Sequence, residues 1–160
     1  TEAEVPHVEY QAHVAKIGWQ DSVKDGETAG TVGQSLAIEG LKIQLTGIDT
    51  EELAGSGVEY SAYVQDSGWQ DSVKDGELAG TVGQSKKVEA VMIKLTGPIA
   101  EKYDIYYRVH SQTYGWLGWA KNGESAGTEG LAKRLESIQI VLVAKEGAAP
   151  GSTENACVTE

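Results

Sequence analysis

The sequence predicts an all-β module in which three copies of one repeat, each nearly fifty residues long, share a single fold. The segment Gly18–Glu27 recurs unchanged as Gly68–Glu77, and residues 115–124 are a more divergent third copy. Each copy also carries an Asp-Gly or Asn-Gly pair and ends in a run of apolar residues spaced by two, which are signals of hairpins and strands. The tryptophans that fix the register are 50 and 47 residues apart: Trp19, Trp69 and Trp116.

The first element of each copy is predicted to be a strand. These opening segments alternate in part between apolar and polar residues, and they are rich in β-branched and aromatic side chains. They cover residues 8–14, 58–64 and 105–111.

The middle of each copy is predicted to turn. Asp25-Gly26, Asp75-Gly76 and Asn122-Gly123 favour tight hairpin turns, because the central residues of such turns need positive φ. The Ala-Gly-Thr-x-Gly sequence that follows in every copy is too rich in glycine for a regular element. It indicates a bend or a close approach between backbones.

The last element of each copy is predicted to be a strand with one buried face. In the first copy Leu41, Ile43 and Leu45 are spaced by two, and the other copies repeat the pattern. A helix over residues 36–45 is the competing interpretation, but the same spacing in all three copies favours a strand.

One copy has too few strands to bury its apolar face alone, so we expect the three to close around a pseudo-threefold axis. A β-prism-like module is the preferred architecture, a β-trefoil is the alternative, and an open solenoid is less favoured because both of its ends would be exposed. The expected domain spans 8–145, with repeats at 8–57, 58–104 and 105–145. We expect a loose N-terminus at 1–7 and a linker or tail at 146–160, in a larger multidomain chain.

The composition of the chain mainly restricts the kinds of partner that it can bind. The net charge of −11 disfavours nucleic acid, whose phosphates would be repelled. No apolar stretch approaches the roughly 18 residues that a membrane span needs, so no membrane insertion is expected. One cysteine, Cys157, builds no disulfide framework.

The order Tyr-x-x-His/Tyr, Gly-Trp, Asp/Asn-Gly, Ala-Gly-Thr-x-Gly, Glu and the closing apolar run resembles the clostridial hydrophobic repeat with conserved tryptophan, the ChW repeat. The resemblance covers residues 8–45, 58–95 and 105–142. It implies a module of secreted or surface-attached proteins of Gram-positive bacteria that binds polysaccharide or other proteins. The family often has a second tryptophan three residues after the first, and here only Trp119 fits, since Ser22 and Ser72 hold the other places.

Aromatic residues are the candidate ligand-binding groups. Trp19, Trp69 and Trp116 could stack on sugar rings, although a tryptophan repeated in every unit more often has a structural role in the core. Trp119 has no counterpart in the other repeats, so the fold does not require it. We therefore expect Trp119 on the surface, with Tyr114 and Asn122 completing a ligand patch.

Catalytic and metal-binding groups are not expected. The chain has no cysteine–histidine pair and no serine elbow, and its carboxylates recur with the repeat, as scaffold residues would. The Asp-x-x-x-Asp-Gly-Glu segments at 21–27 and 71–77 faintly resemble a calcium loop, but turn chemistry explains them without an ion. We expect no enzyme activity, no metal and no cofactor.

Together with what the resemblance implies, these observations predict a non-catalytic, secreted or cell-surface binding module that holds carbohydrate and tethers a larger protein. The expected partner is a glycan or a surface protein. The alternative is a protein–protein interaction or spacer module of a surface assembly.

Overall fold

A computed structural model describes residues 5–159, and within them each repeat folds into five strands in the same order. The first repeat contains β1 (His7–Val14), β2 (Gly18–Trp19), β3 (Val23–Lys24), β4 (Ala29–Gly30) and β5 (Ile38–Thr46). The second contains β6 (Gly57–Val64), β7 (Gly68–Trp69), β8 (Val73–Lys74), β9 (Ala79–Gly80) and β10 (Val88–Thr96). A short helix, α1 (Ile99–Lys102), precedes β11 (Tyr103–Ser111), β12 (Gly115–Trp116), β13 (Ala120–Lys121), β14 (Ser125–Thr128), β15 (Leu135–Ala144) and β16 (Cys157–Val158).

The centre of each sheet is an antiparallel pair formed by the opening and closing strands of one repeat. β1 pairs with β5, β6 with β10, and β11 with β15. The second and third strands of each repeat pair beside the opening strand. The predicted closing strand is therefore confirmed, and the helix considered for residues 36–45 is wrong.

The fourth strand of each repeat leaves its own sheet and joins the sheet of the preceding repeat. β9 pairs with β5, β14 with β10, and β4 with β15. The first repeat thus completes the sheet of the third, and the three repeats form a closed ring. This closure excludes an open solenoid.

Close backbone contact explains the glycine of the Ala-Gly-Thr segment. Gly80 lies opposite Gly40 with φ of +93°, and a Cβ at Gly80 would be 2.4 Å from the carbonyl oxygen of Glu39. No side chain fits there, so the bend that the glycines predicted is also the point where two repeats meet.

The interior of the ring is one hydrophobic cluster to which all three repeats contribute. Along β1 the side chains alternate strictly, so that Val8, Tyr10, Ala12 and Val14 are buried. The closing strands add mainly isoleucine, leucine and valine. The buried residues of the three repeats belong to one shared cluster within the described part of the chain.

Three tyrosines reinforce the boundaries between repeats, and we call their contacts the tyrosine bridges. The Tyr10 hydroxyl donates to the Glu27 carbonyl of its own repeat and accepts from the backbone N–H of Ile140, at 3.1 Å, in the third. Equivalent bridges join repeat 2 to repeat 1 and repeat 3 to repeat 2. Their members are Tyr60 with Glu77 and Ile43, and Tyr107 with Glu124 and Ile93.

Both ends of the described chain are more ordered than the sequence indicated. His7 begins β1 and Pro6 is buried, so the loose segment predicted at 1–7 does not include these two residues, and residues 1–4 lie outside the described residues. A linker or tail was predicted at 146–160, but its described part, residues 146–159, returns to the ring, where β16 pairs in parallel with β14.

A change of one residue accounts for the position of this added strand. In the first repeat the side-chain amide of Gln20 accepts from Gly30 N–H at 2.7 Å and donates to its carbonyl at 3.4 Å, and Gln70 does the same for Gly80. Repeat 3 has Leu117 at this position, and the backbone of residues 156–158 takes over: Gly127 N–H donates to the Ala156 carbonyl at 2.9 Å. A glutamine amide thus replaces an edge strand in two repeats.

The all-β class is confirmed, since strands dominate and α1 has four residues. One sheet per repeat in a closed ring agrees with the pseudo-threefold expectation, while the choice between prism and trefoil stays a prediction. None of the helices within residues 5–159 has the length and apolar character needed to span a bilayer.

Candidate functional site

In each sheet, a row of residues paired across adjacent strands begins at the repeated tryptophan and ends in the next repeat. Trp19 pairs with His13, His13 with Gly40, and Gly40 with Gly80 of the next repeat. Residues directly opposite each other in antiparallel strands share a face, so the aromatic pair lies beside a stretch of backbone without side chains. The matching rows are Trp69, Tyr63, Ala90 and Gly127, and Trp116, His110, Ser137 and Gly30.

A β-bulge places a glutamate next to each row. The pairing register skips one residue of each closing strand here, and that residue is Glu39, Glu89 or Glu136. Such bulges re-aim a side chain. His13 Nδ1 lies 3.2 Å from a carboxylate oxygen of Glu39, and His110 Nδ1 lies 2.9 Å from Glu136.

The backbone and the carboxylates of these glutamates have different partners. The Thr31 and Thr81 N–H groups donate to the backbone carbonyls of Glu136 and Glu39 at 2.9 Å. The carboxylates of these two residues contact histidine Nδ1 atoms. The second repeat has a tyrosine in place of the histidine, and burial raises the pKa of its Glu89.

The repeated tryptophans lie on the outer face of their sheets, half-buried, rather than in the central core. Each packs edge-on against the aromatic side chain of the residue paired with it, and the ring centroids of Trp19 and His13 are 5.2 Å apart. The corresponding distances are 5.5 Å for Trp69 with Tyr63 and 5.3 Å for Trp116 with His110. These contacts give each tryptophan a structural role, and its role as a platform for sugar stays a prediction.

The three tryptophans have different neighbours. The ammonium of Lys42 lies 4.6 Å from the centroid of Trp19. The indole N–H of Trp69 donates to the Glu129 carboxylate at 2.8 Å, across a repeat boundary. The guanidinium of Arg108 lies 4.5 Å from the centroid of Trp116. The surroundings of the three tryptophans are therefore not equivalent.

The expectation of an exposed Trp119 is wrong. Its exposed fraction is 8%, and its backbone N–H donates to the Ser152 carbonyl at 2.8 Å. Gly151 packs so closely on the indole that a Cβ there would be 3.0 Å from Nε1. The C-terminal segment that covers Trp119 was predicted to be a linker, and this error is the reason for the wrong expectation.

Tyr114 and Asn122 do not form a patch with Trp119. Tyr114 is 41% exposed in the turn after β11, whereas Asn122 lies near the start of that strand. Their neighbours Ser111 and Ile105 are six residues of extended chain apart, which is roughly 20 Å.

Asn122 has a turn role instead. Its side-chain oxygen accepts from the Ile105 N–H at 3.0 Å, as Asp25 and Asp75 do for the opening strands of their repeats. Its amide nitrogen donates to Asp104, whose pKa is lowered by the hydrogen bond from Lys145.

Trp116 and Trp119 share a groove on repeat 3 of about 390 Å³. Arg108 lies between the two indoles, 5.1 Å from the centroid of Trp119. The opposite wall is the segment 150–155, which contributes the polar residues Ser152 and Asn155.

The acidic segments act in turns. Glu27 accepts from the Lys24 N–H at 2.8 Å, and Asp25 accepts from the Val8 N–H at 3.1 Å. Within residues 5–159 no three His, Cys, Asp or Glu side chains are grouped as metal ligands would be. The turn carboxylates Asp25 and Glu27 thus bond to backbone N–H groups, and Asp75 and Glu77 do the same in repeat 2.

Arg108, Glu129 and the segment 150–155 were not predicted as site residues. One sequence signal could have indicated the first two, since both depart from the repeat. Arg108 stands where the other copies have Gln11 and Ser61, and Glu129 stands where they have valine. Nothing in the repeat pattern could indicate the segment, because it lies outside all three copies.

Comparison with known families gives one result. The family model described as "Clostridial hydrophobic W" matches three times, at residues 13–47, 63–97 and 110–144. No curated protein and no solved structure matches the chain. The three matches coincide with the three copies, so the chain is a module of three tandem repeats.

Proposed function

The chain belongs to the clostridial hydrophobic W family, and we propose that it is a non-catalytic module that binds carbohydrate in the groove of repeat 3. In this proposal the parent protein is secreted or held at the cell surface, and the module tethers it to a glycan. The observation that carries the proposal is the groove itself, in which an aromatic surface faces a polar wall.

The groove has the chemistry that sugar rings need. The apolar face of a pyranose packs on an indole, and Trp116 is half-buried, which leaves part of its ring accessible. Arg108 brings guanidinium N–H donors next to that ring, one of which already bonds to Gln139, and Ser152 and Asn155 add donors and acceptors. The exposed lining of the groove is mostly polar, which suits a ligand that carries many hydroxyl groups.

The proposal assigns one site rather than three. Trp69 is held by Glu129 through its only polar atom. The segment 150–155 builds the opposite wall only at repeat 3.

Titration of tryptophan fluorescence with soluble cello-, xylo- and chito-oligosaccharides tests the proposal. We expect at least one series to change the emission saturably in the wild type. The response should be lost in Trp116→Ala and kept in Trp69→Ala, which removes the matching residue where no groove is present. Equal responses in both variants, or none in the wild type, would contradict the assignment.

A protein–protein interaction or spacer module is the second candidate. Exposed apolar side chains gather at the end of the ring that carries the bulges: Ile17, Val32, Val82 and Tyr114. Exposed apolar residues grouped in this way are typical of interaction surfaces. A glycan panel without any response would move the weight of evidence to this surface.

A further inference from the structure

Two small pockets lie at matching positions on the outer face of repeats 1 and 2. The pocket of repeat 2 has a volume of about 140 Å³ and that of repeat 1 about 80 Å³. The matched lining residues are Gln11 and Ser61, Ser22 and Ser72, Lys42 and Met92, and the boundary glycines Gly76 and Gly123. Neither pocket belongs to the groove of repeat 3.

In repeat 3 the chain fills the matching position with its own indole. Trp119 is the third residue after Trp116, as Ser72 is after Trp69. Arg108 matches the pocket residue Ser61, and its guanidinium lies 5.1 Å from the Trp119 ring. The Trp119 indole therefore lies over the part of the outer face that is left open in repeat 2.

The pocket of repeat 2 suits a flat ring better than that of repeat 1. Its wall contains Met92, whose thioether makes favourable contacts with aromatic rings, while repeat 1 has the Lys42 ammonium there. A cavity of about 150 Å³ is large enough for a benzene ring. The rim carries the ion pair of Lys94 and Glu59, with 3.3 Å between Nζ and Oε2.

We propose that the repeat 2 pocket, between Ser72 and Met92, binds a planar aromatic ring in the place that Trp119 occupies in repeat 3. The ring comes either from a free aromatic molecule or from an aromatic side chain of a partner. The site is separate from the glycan groove, so one can fail without the other.

Met92 is the only methionine of the chain, and its methyl group therefore gives one NMR signal that reports on this pocket. We expect indole to shift that signal saturably towards high field, because the methyl group would lie against the face of the ring. In Ser72→Trp the signal should be shifted from the start, and indole should cause no further change. Ser67→Trp adds a tryptophan to an exposed turn away from the pocket, and its response to indole should equal that of the wild type.

A second probe distinguishes the two sources of the ring. A response to N-acetyltryptophanamide as well as to indole assigns the site to a ring carried by a peptide, and a response to indole alone assigns it to a free aromatic molecule. If Ser72→Trp fails to fold, Ser72→Leu blocks the same space with a smaller side chain and should weaken indole binding. A Met92 signal that does not move up to the solubility limit of indole overturns the proposal, as does an undiminished response in the folded Ser72 variant.

Discussion

At the scale of single residues, the tyrosine bridges do more than fill volume. Tyr10, Tyr60 and Tyr107 are almost completely buried, and each hydroxyl satisfies one backbone group in its own repeat and one in the preceding repeat. A buried backbone group without a hydrogen-bond partner costs free energy. Each tyrosine hydroxyl therefore stabilises the contact between two neighbouring repeats. The sequence placed these tyrosines in strands, but it gave no sign that their hydroxyls reach across the boundary.

Removing one hydroxyl should therefore destabilise the whole ring. In Tyr60→Phe the Ile43 N–H and the Glu77 carbonyl lose their partner, and we expect the free energy of unfolding to fall by about 1–3 kcal/mol. Urea unfolding followed by circular dichroism measures the change. Tyr114→Phe, at an exposed position, should stay within about 0.5 kcal/mol of the wild type. Equal effects of the two variants would contradict a specific role for the bridge.

At the scale of elements, the regular parts of the fold were predictable and the exceptions were not. Alternating apolar residues and Asp-Gly pairs indicated the long strands and the turns, because burial of one face requires that pattern. The exchange of the fourth strand between repeats left no local signal beyond its glycines, since two residues of strand show no periodicity. β16 can pair with β14 because no glutamine amide bonds to that edge in repeat 3. The sequence indicates this only through Leu117, which stands where the other repeats have glutamine.

Restoring that glutamine should release the C-terminal strand. In Leu117→Gln the new amide can bond to the β14 edge as Gln20 bonds to Gly30, and so compete with residues 156–158. The sole cysteine, Cys157, reports the release, because burial raises the pKa of its thiol and solvent exposure would lower it again. We expect its reaction with a thiol reagent at neutral pH to become several times faster.

Leu78→Gln, an exposed leucine changed to the same residue, is the control and should leave the rate unchanged. Circular dichroism must show that Leu117→Gln remains folded, since Leu117 is largely buried. An unchanged rate in a folded Leu117→Gln protein would mean that the missing glutamine does not direct the docking of β16.

At the scale of the whole molecule, closure of the ring joins the stability of the three repeats. Repetition and strand pattern were enough to predict the all-β class and the shared apolar interior, because a single hairpin has too few strands to bury its own apolar face. They were not enough to predict which strand completes which sheet, or that residues 150–158 would cover part of repeat 3. Contacts of that kind depend on the surface of the fully formed ring. Short local sequence patterns carry no information about that surface.

Alkaline pH should unfold the ring as one unit. Burial raises the pKa of Tyr10 and Tyr60 from 10.0 to about 12, and burial raises that of Tyr107 as well. Above pH 10 the unfolded chain loses these protons before the folded chain does, so the free energy of unfolding decreases as pH rises. Each bridge contributes up to about 1.4 kcal/mol per pH unit in that range.

Tyrosinate absorbance and circular dichroism followed together measure this transition. We expect the buried tyrosines to ionise at the same pH at which the strand signal disappears, and Tyr60→Phe should show a weaker pH dependence above pH 10. Ionisation in separate steps, each with partial loss of strand, would indicate that the repeats unfold independently.

The pairing of β4 with β15 also has a consequence for biosynthesis. Ala29 lies opposite Ile138, so β4 of the N-terminal repeat pairs with a strand, β15, that is translated more than a hundred residues later. At ribosomal rates of about 5–20 residues per second, this edge waits roughly 5–20 s for its partner. During this time the first hairpin of the nascent chain exists without the rest of the ring. Its apolar face must be protected in the cell until the last repeat has been translated.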